Sequence, residues 1–308
     1  MRKIKIGTRN SALAIWQANY IGSYLEKAGL AYELTAISTK GDQILDRSLS
    51  KIGSKGVFTE ELEQMLRNGE IDLAQHSAKD LPSTLPEDLK LIAFTKREKS
   101  HDVVLSLHPN FKLNTQQAYH IGTSSTRRRA FLGHYFPSLK PVEMRGNLQT
   151  RLEKLKNGDC DAIILAYAGV YRMDMSDYIS EHLPLNQFIP AVGQGSVAVQ
   201  CAKTLPIDLQ NIIRSACNHE ITEICVLAER ELLSKLDGGC SVPVYGHAQI
   251  EKDVVNLTGG VLSLDGQQKI EFSLAGKNPI ELGKKLADQL IAAGASDLLK
   301  EIRRQIAL

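Results

Sequence analysis

The sequence predicts an α/β protein built as two similar lobes followed by a small α+β domain. Three observations carry this: short apolar strands alternate with amphipathic helices over most of the chain, two segments of the first lobe recur in the second, and the character changes near Asn218.

In the first lobe, residues 3–6 read as a buried strand. Gly7 turns the chain, Ser11 can cap a helix carrying Leu13, Ile15, Trp16 and Tyr20, and Gly29 ends it. A strand over 32–38, a helix over 58–67, a strand over 71–74 and a strand over 91–95 follow, an alternation that favours a mostly parallel sheet covered by helices. The charged, non-periodic stretch Lys96-Arg97-Glu98-Lys99-Ser100 marks the crossing to the second lobe. There the expected elements are strands at 103–107, 120–121 and 162–166, a helix after Ser125 and a helix over 147–156. After Pro190-Ala191-Val192-Gly193-Gln194-Gly195, residues 197–200 read as a strand returning to the first lobe's sheet. A long helix over 220–236 then leads through Asp237-Gly238-Gly239-Cys240 to three alternating segments (244–250, 254–262, 269–274) and a final helical region. The expected division is 1–97 with 195–217, then 98–194, then 218–308.

Two echoes support paired lobes. Ile6-Gly7-Thr8-Arg9-Asn10-Ser11 resembles Ile121-Gly122-Thr123-Ser124-Ser125-Thr126, and Gly69-Glu70-Ile71-Asp72 resembles Gly158-Asp159-Cys160-Asp161. Each segment of the first kind sets small polar residues and backbone N–H groups between a strand and a helix N-terminus, a ready place for an anion.

A length of 308 residues exceeds the usual single domain, and 37 Lys plus Arg against 35 Asp plus Glu leave a net charge of +2, so bulk attraction to nucleic acid or membrane is not expected. The beginning lacks the apolar stretch of a signal peptide and no run of 18 apolar residues occurs, so an unexported, cytoplasmic protein is expected. The five cysteines (160, 201, 217, 225, 240) form no C-x-x-C pair and match neither a disulfide scaffold nor a zinc site, which suits reduced thiols and no metal. No long apolar heptad appears, and a monomer is the expectation.

The densest basic cluster is Arg127-Arg128-Arg129, after Thr123-Ser124-Ser125-Thr126 at a helix start. Hydroxyls, helix N–H groups and guanidinium forks together suit a carboxylate or phosphate, although a solvated helix face would read the same. Arg127 and Arg128 are the candidates, with Arg129 pointing outward. A second candidate is Arg145-Gly146-Asn147 with Arg151, where Asn147 can cap the next helix. Arg9 precedes Ser11 in the first echo. Lys51 and Lys55 punctuate the glycine-rich Ile52-Gly53-Ser54-Lys55-Gly56 segment, which is not a P-loop and reads as a surface loop, a cleft lid, or both.

His76-Ser77-Ala78-Lys79-Asp80 follows a strand, where an α/β sheet delivers functional residues. Asp80 beside Lys79 can stabilise developing positive charge or assist proton transfer; equally, Asp80 can cap a turn before Pro82 with Lys79 solvated. His219-Glu220 is not a zinc-protease helix, because position 223 is Glu223 rather than histidine. Cys240 stands on a glycine loop and can be structural, a nucleophile or a covalent anchor.

Taken together these segments resemble the porphobilinogen deaminase family over most of the chain. The matching stretches are Gly7-Thr8-Arg9-Asn10-Ser11, Lys40-Gly41-Asp42, Lys55-Gly56-Val57-Phe58, His76-Ser77-Ala78-Lys79-Asp80, Gly122-Thr123-Ser124-Ser125, Arg127-Arg128, Arg145-Gly146-Asn147, Ala191-Val192-Gly193-Gln194-Gly195 and Gly238-Gly239-Cys240. The resemblance implies two lobes like a type II periplasmic-binding protein around a cleft, with a third domain carrying the cofactor loop. It implies a dipyrromethane cofactor joined to Cys240 through a thioether, and successive condensation of four porphobilinogen units, released by water as hydroxymethylbilane. Asp80 would be the main catalytic carboxylate, stabilising the cationic azafulvene formed when ammonia leaves. Cofactor contacts would fall to Ser77, Lys79, Asp80, Thr123, Ser125, Arg127 and Arg128. Substrate and the growing polypyrrole chain would meet Arg9, Ser11, Arg145, Arg151 and Gln194, and Lys51, Lys55 and Phe58 would belong to a lid. Ala78 departs from the Met common in H-S-M-K-D, which would loosen packing beneath Asp80.

The rival readings are a non-catalytic anion-binding protein, which the missing export signal disfavours, and a nucleic-acid module, which the near-neutral charge and lack of an aromatic stacking array disfavour.

Overall fold

The computed structural model describes residues 2–39, 59–114, 116–239 and 241–307. These fold as two compact units, one drawn from within 1–44, 55–98 and 195–224, the other from within 99–194 and 225–308.

The chain opens with β1 (Ile4–Arg9), α1 (Ala12–Lys27) and β2 (Tyr32–Ile37), then continues with α2 (Glu60–Arg67), β3 (Leu73–Ser77), a 3-10 turn (Ala78–Asp80) and β4 (Leu89–Phe94). α1 forms because Ser11 accepts from the Ala14 N–H and because Ala14, Ala18, Ile21 and Leu25 recur on one face, all buried. That face packs on Ile6, Leu73 and Val199, with burial of each large side chain contributing about 1.5–3 kcal/mol.

The second unit has β5 (Asp102–Leu105), β6 (His120–Gly122), α3 (Thr126–Tyr135), β7 (Lys140–Val142), α4 (Leu148–Lys156), β8 (Ala162–Ala166), α5 (Tyr167–Arg172) and β9 (Ile179–His182). Among the described residues its sheet runs β7-β6-β8-β5-β9. β6 is parallel to β7 and β8, while β5 is antiparallel to β8 and β9. All five residues of β8 are buried, as expected of a strand covered on both faces.

β10 (Val197–Ala202) belongs to the first sheet, whose order is β2-β1-β3-β10-β4, with β1 parallel to β2 and β3 and β10 antiparallel to β3 and β4. The remaining elements are α6 (Ile207–Cys217), α7 (Glu220–Lys235), the antiparallel strands β11 (Val244–Glu251), β12 (Val254–Leu262) and β13 (Lys269–Gly276), then α8 (Pro279–Ala292) and α9 (Ala295–Ala307). Within the second unit the small sheet shares a core with the larger one: Tyr245 and Leu262 are buried with Phe131, Ile164 and Phe188. The Phe131 and Tyr245 rings lie 4.9 Å apart.

The strand expected over 71–74 instead runs from Leu73 to Ser77, because β10, more than 100 residues away, pairs with it at Ala198↔His76 and Val197↔Ser77. His76 and Ser77 are therefore held by a ladder rather than by a loop. β7, β9, α5 and α6 have no counterpart in the sequence expectations; the first two are only three and four residues long, too short to show a period.

Candidate active site

In the first unit, Arg9 ends β1, Ser11 caps α1, and Ser77, Lys79 and Asp80 follow one another off the end of β3. Because β1 and β3 are parallel neighbours, these residues share the carboxyl edge of the sheet, where α/β sheets present functional groups. A buried polar network lies behind that edge. Gln75's amide is 2.7 Å from Thr8 Oγ1 and 2.6 Å from Gln17 Oε1, and Ser77 Oγ donates to Gln17 Oε1 at 3.1 Å. His76 Nε2 lies 2.8 Å from Gln200 Oε1, and Gln200 Nε2 donates to Glu63 Oε1 at 3.3 Å. Burial pushes His76 down to about 4, the Gln200 contact and the Asp80 charge oppose this, and the Arg9 charge reinforces it. Arg9 and Asp80 thus both act electrostatically on one buried, neutral imidazole. Ala78 is buried at the start of the 3-10 turn and its N–H donates to Ser196 O at 3.0 Å.

In the second unit, Ser125 caps α3 by accepting from the Arg128 N–H, and Thr123 Oγ1 accepts from the Ser125 N–H at 3.3 Å. Arg127 and Arg128 are only 4% and 6% exposed. Both face Asp102, the fully buried first residue of β5: Arg127 Nη2 donates to Oδ2 at 2.6 Å and Arg128 Nη2 to Oδ1 at 2.7 Å. Their Nη1 groups donate to Ile189 O at 2.7 Å and Ile164 O at 3.0 Å. Burial alone would raise the Asp102 carboxyl, but the two guanidiniums hold it well below the usual carboxylate range. Arg129 turns outward to Glu143, 3.5 Å away.

Gln194 joins the same cluster, its Nε2 donating to Ser100 O at 2.6 Å and to Asp102 Oδ1 at 2.9 Å. Gly193 and Gly195 flank it at φ 73° and 94°, in the left-handed region that favours glycine, and a Cβ on Gly195 would lie 2.5 Å from Glu98 O. Buried Glu229 fixes this turn by accepting from the Gly193 N–H at 2.7 Å through Oε2 and from the Ala248 N–H at 2.7 Å through Oε1. Arg145 and Arg151 gather separately at the start of α4, where Arg151 Nε donates to Gly146 O at 2.8 Å and Asn147 caps the helix. Ser124 Oγ ties this turn to the α3 turn by accepting from the Met144 N–H at 2.9 Å.

Lys51, Lys55, Phe58 and Cys240 lie outside the described residues, as does Lys40-Gly41-Asp42. Just before Cys240, Gly238 packs closely on α7: a Cβ there would sit 2.6 Å from Leu233 Cδ1, so a larger residue would have to displace that side chain. Cys160, Cys201, Cys217 and Cys225 are all buried, and burial pushes the thiols of Cys160 and Cys201 up to about 11 and of Cys217 up to about 12, unsuited to nucleophilic work. Among the described residues no group of three or more His, Cys, Asp or Glu could hold a metal, and no helix is long and apolar enough to cross a membrane.

Sequence reasoning missed Asp102, Gln17, Gln75 and Glu229. For Asp102 a signal existed: a lone acid opening the apolar strand Asp102-Val103-Val104-Leu105 has to be paired once buried.

Two family models match the chain: "Porphobilinogen deaminase, dipyromethane cofactor binding domain" over residues 4–206 and "Porphobilinogen deaminase, C-terminal domain" over 223–292. A protein from Desulfosudis oleivorans named porphobilinogen deaminase is 45% identical over 98% of this chain and 99% of its own length, and one of the same name from Cytophaga hutchinsonii is 47% identical over 98% of each. Among solved structures, the VFT2 domain of Bordetella pertussis BvgS aligns with a TM-score of 0.43 at 17% identity over 69% of this chain and 85% of that one, too distant to carry an argument. Near full-length identity of this order, with both domain models matched in sequence, shows that the chain belongs to the porphobilinogen deaminase family, transferases whose larger matched domain binds a dipyrromethane cofactor.

Proposed function

We propose that the chain condenses four porphobilinogen molecules head to tail on a dipyrromethane held by Cys240 and releases hydroxymethylbilane by hydrolysis. The observation that carries the assignment of residues is their common position. Arg9 and Ser77 end β1 and β3, Ser11, Lys79 and Asp80 lie just beyond those ends, and Thr123 and Ser125 follow the carboxyl end of β6.

The side chains fit the cofactor. A dipyrromethane made from porphobilinogen carries acetate and propionate carboxylates, and Arg127 Nε and Arg128 Nε are buried donors without a protein partner, two and three residues along the chain from the helix-capping Ser125. Thr123, Ser125, Arg127 and Arg128, with Ser77, Lys79 and Asp80, would hold it, and it would supply the electron-rich pyrrole carbon to which incoming units are joined. Asp80 stabilises the positive charge that develops on the substrate's pyrrole and methylene as ammonia departs. Arg9, Ser11, Arg145 and Arg151 bind the carboxylates of the substrate and the lengthening chain.

The four buried cysteines support Cys240 as the anchor, and the separate sheets support a division into 1–97 with 195–217, 98–194 and 218–308. The protein works as a cytoplasmic monomer. Intact-mass analysis with peptide mapping tests the anchor: wild type should carry an addition of two linked pyrrole units on the Cys240 peptide and turn over porphobilinogen, and Cys240→Ser should do neither. A bare Cys240 in an active enzyme would overturn the assignment.

A further inference from the structure

Two buried arginines share one buried acid in the second unit. Asp102 is fully enclosed, its Oδ2 taken by Arg127 and its Oδ1 by both Arg128 and Gln194. With Nη1 of each arginine donating to a backbone carbonyl, both guanidiniums are anchored through their terminal nitrogens. The Nε–H of each is left buried and without a hydrogen-bond partner. Native structures rarely leave such donors unsatisfied unless something else fills them. Two cations against one anion also leave the cluster one positive charge in excess, in surroundings where that charge is strongly felt.

We propose that Asp102 is a positioning residue for carboxylate binding: it holds Arg127 and Arg128 by their terminal nitrogens so that their Nε edges receive carboxylates of the pyrrole chain. Gln194 braces the acid from the Ser100 side, which gives the Ala191-Val192-Gly193-Gln194-Gly195 turn a role in the same device. Charge alone predicts the opposite behaviour. If the arginines acted only through net charge, removing the acid would tighten anion binding; if their orientation matters, removing it loosens binding even though the site becomes more positive.

The proposal rests on the proposed function, and the experiment separates the two. Asp102→Asn keeps the volume but turns an NH2 towards a guanidinium. It is expected to raise the KM for porphobilinogen by about ten- to a hundredfold and to lower the fraction of chains carrying the two-pyrrole addition, while kcat per loaded chain changes little. Asp102→Glu is expected to restore part of the loading. An Asn variant that folds by thermal unfolding and loads and binds as well as wild type, or better, overturns the positioning role. A wild type with neither addition nor turnover overturns the function instead. Should both variants fail to fold, the wild-type chain still decides. Nitrogen-15 spectra should show the Arg127 and Arg128 Nε–H signals, assigned by their loss in Arg127→Lys and Arg128→Lys, slow to exchange in the unloaded chain and shifted in the loaded one. Signals unmoved by loading overturn the proposal.

Discussion

The two five-stranded sheets repeat one design. β2-β1-β3-β10-β4 and β7-β6-β8-β5-β9 each set three parallel strands beside one antiparallel strand and a further edge strand. Ser11 and Ser125 cap the helix after the first parallel strand of each. Even small joints recur: Asp72 Oδ2 accepts from the Lys5 N–H at 2.9 Å and Asp161 Oδ2 from the His120 N–H at 2.7 Å. What lies behind the functional edge differs. The antiparallel strand of the first sheet contributes Gln200, which meets a neutral His76; that of the second contributes Asp102, which meets two arginines. One frame thus buries a neutral imidazole, linked through Gln200 to the Glu63 carboxyl, near the charges of Asp80 and Arg9, and in the other sheet two arginines on one acid. A neutral imidazole leaves the Asp80 carboxylate to answer charge developing on substrate, whereas an arginine pair suits standing anions.

The largest expected effect follows from that division of labour. Asp80→Asn should lower kcat per loaded chain by about a hundredfold or more with little change in KM, and Arg151→Ala should raise KM with kcat near wild type. Steady-state kinetics checks both, and an Asp80 variant altered only in KM would erase the contrast.

Acid should separate the two units next. His76 has a folded value below its unfolded one, so it contributes stability that is present above about pH 6.5 and is lost as pH falls towards about 4, amounting to roughly 3 kcal/mol. Asp102 is likewise held low, but as an acid it contributes above about pH 4 and loses that stability only below it. Hydrogen exchange corrected for intrinsic rates should show core amides such as Ile6 and Val199 losing protection between pH 6.5 and 4, while Ile121 and Ile164 hold. His76→Gln should remove the difference. The smallest effect sharpens the similarity: Ser11→Ala and Ser125→Ala should each cost about 1 kcal/mol in denaturant unfolding, since each removes a side-chain acceptor at an equivalent helix start.

By itself the sequence determined the βα alternation, the helix starts at Ser11, Ser125 and Asn147, the three alternating strands of the last domain and the family, because apolar period, capping and motif order are written in neighbouring residues. Tertiary structure alone decided that His76 and Ser77 sit in a strand, since their partner β10 lies across more than a hundred residues. It also set the surroundings of the basic cluster. Arg127 and Arg128 read either as an anion-binding pair at a helix start or as part of a solvated helix face, yet they are buried on an acid 25 and 26 positions earlier in the chain. No local pattern specifies such a pair: the acid and the arginines meet only when β5 takes its place beside β8, and burial then forces their charges together.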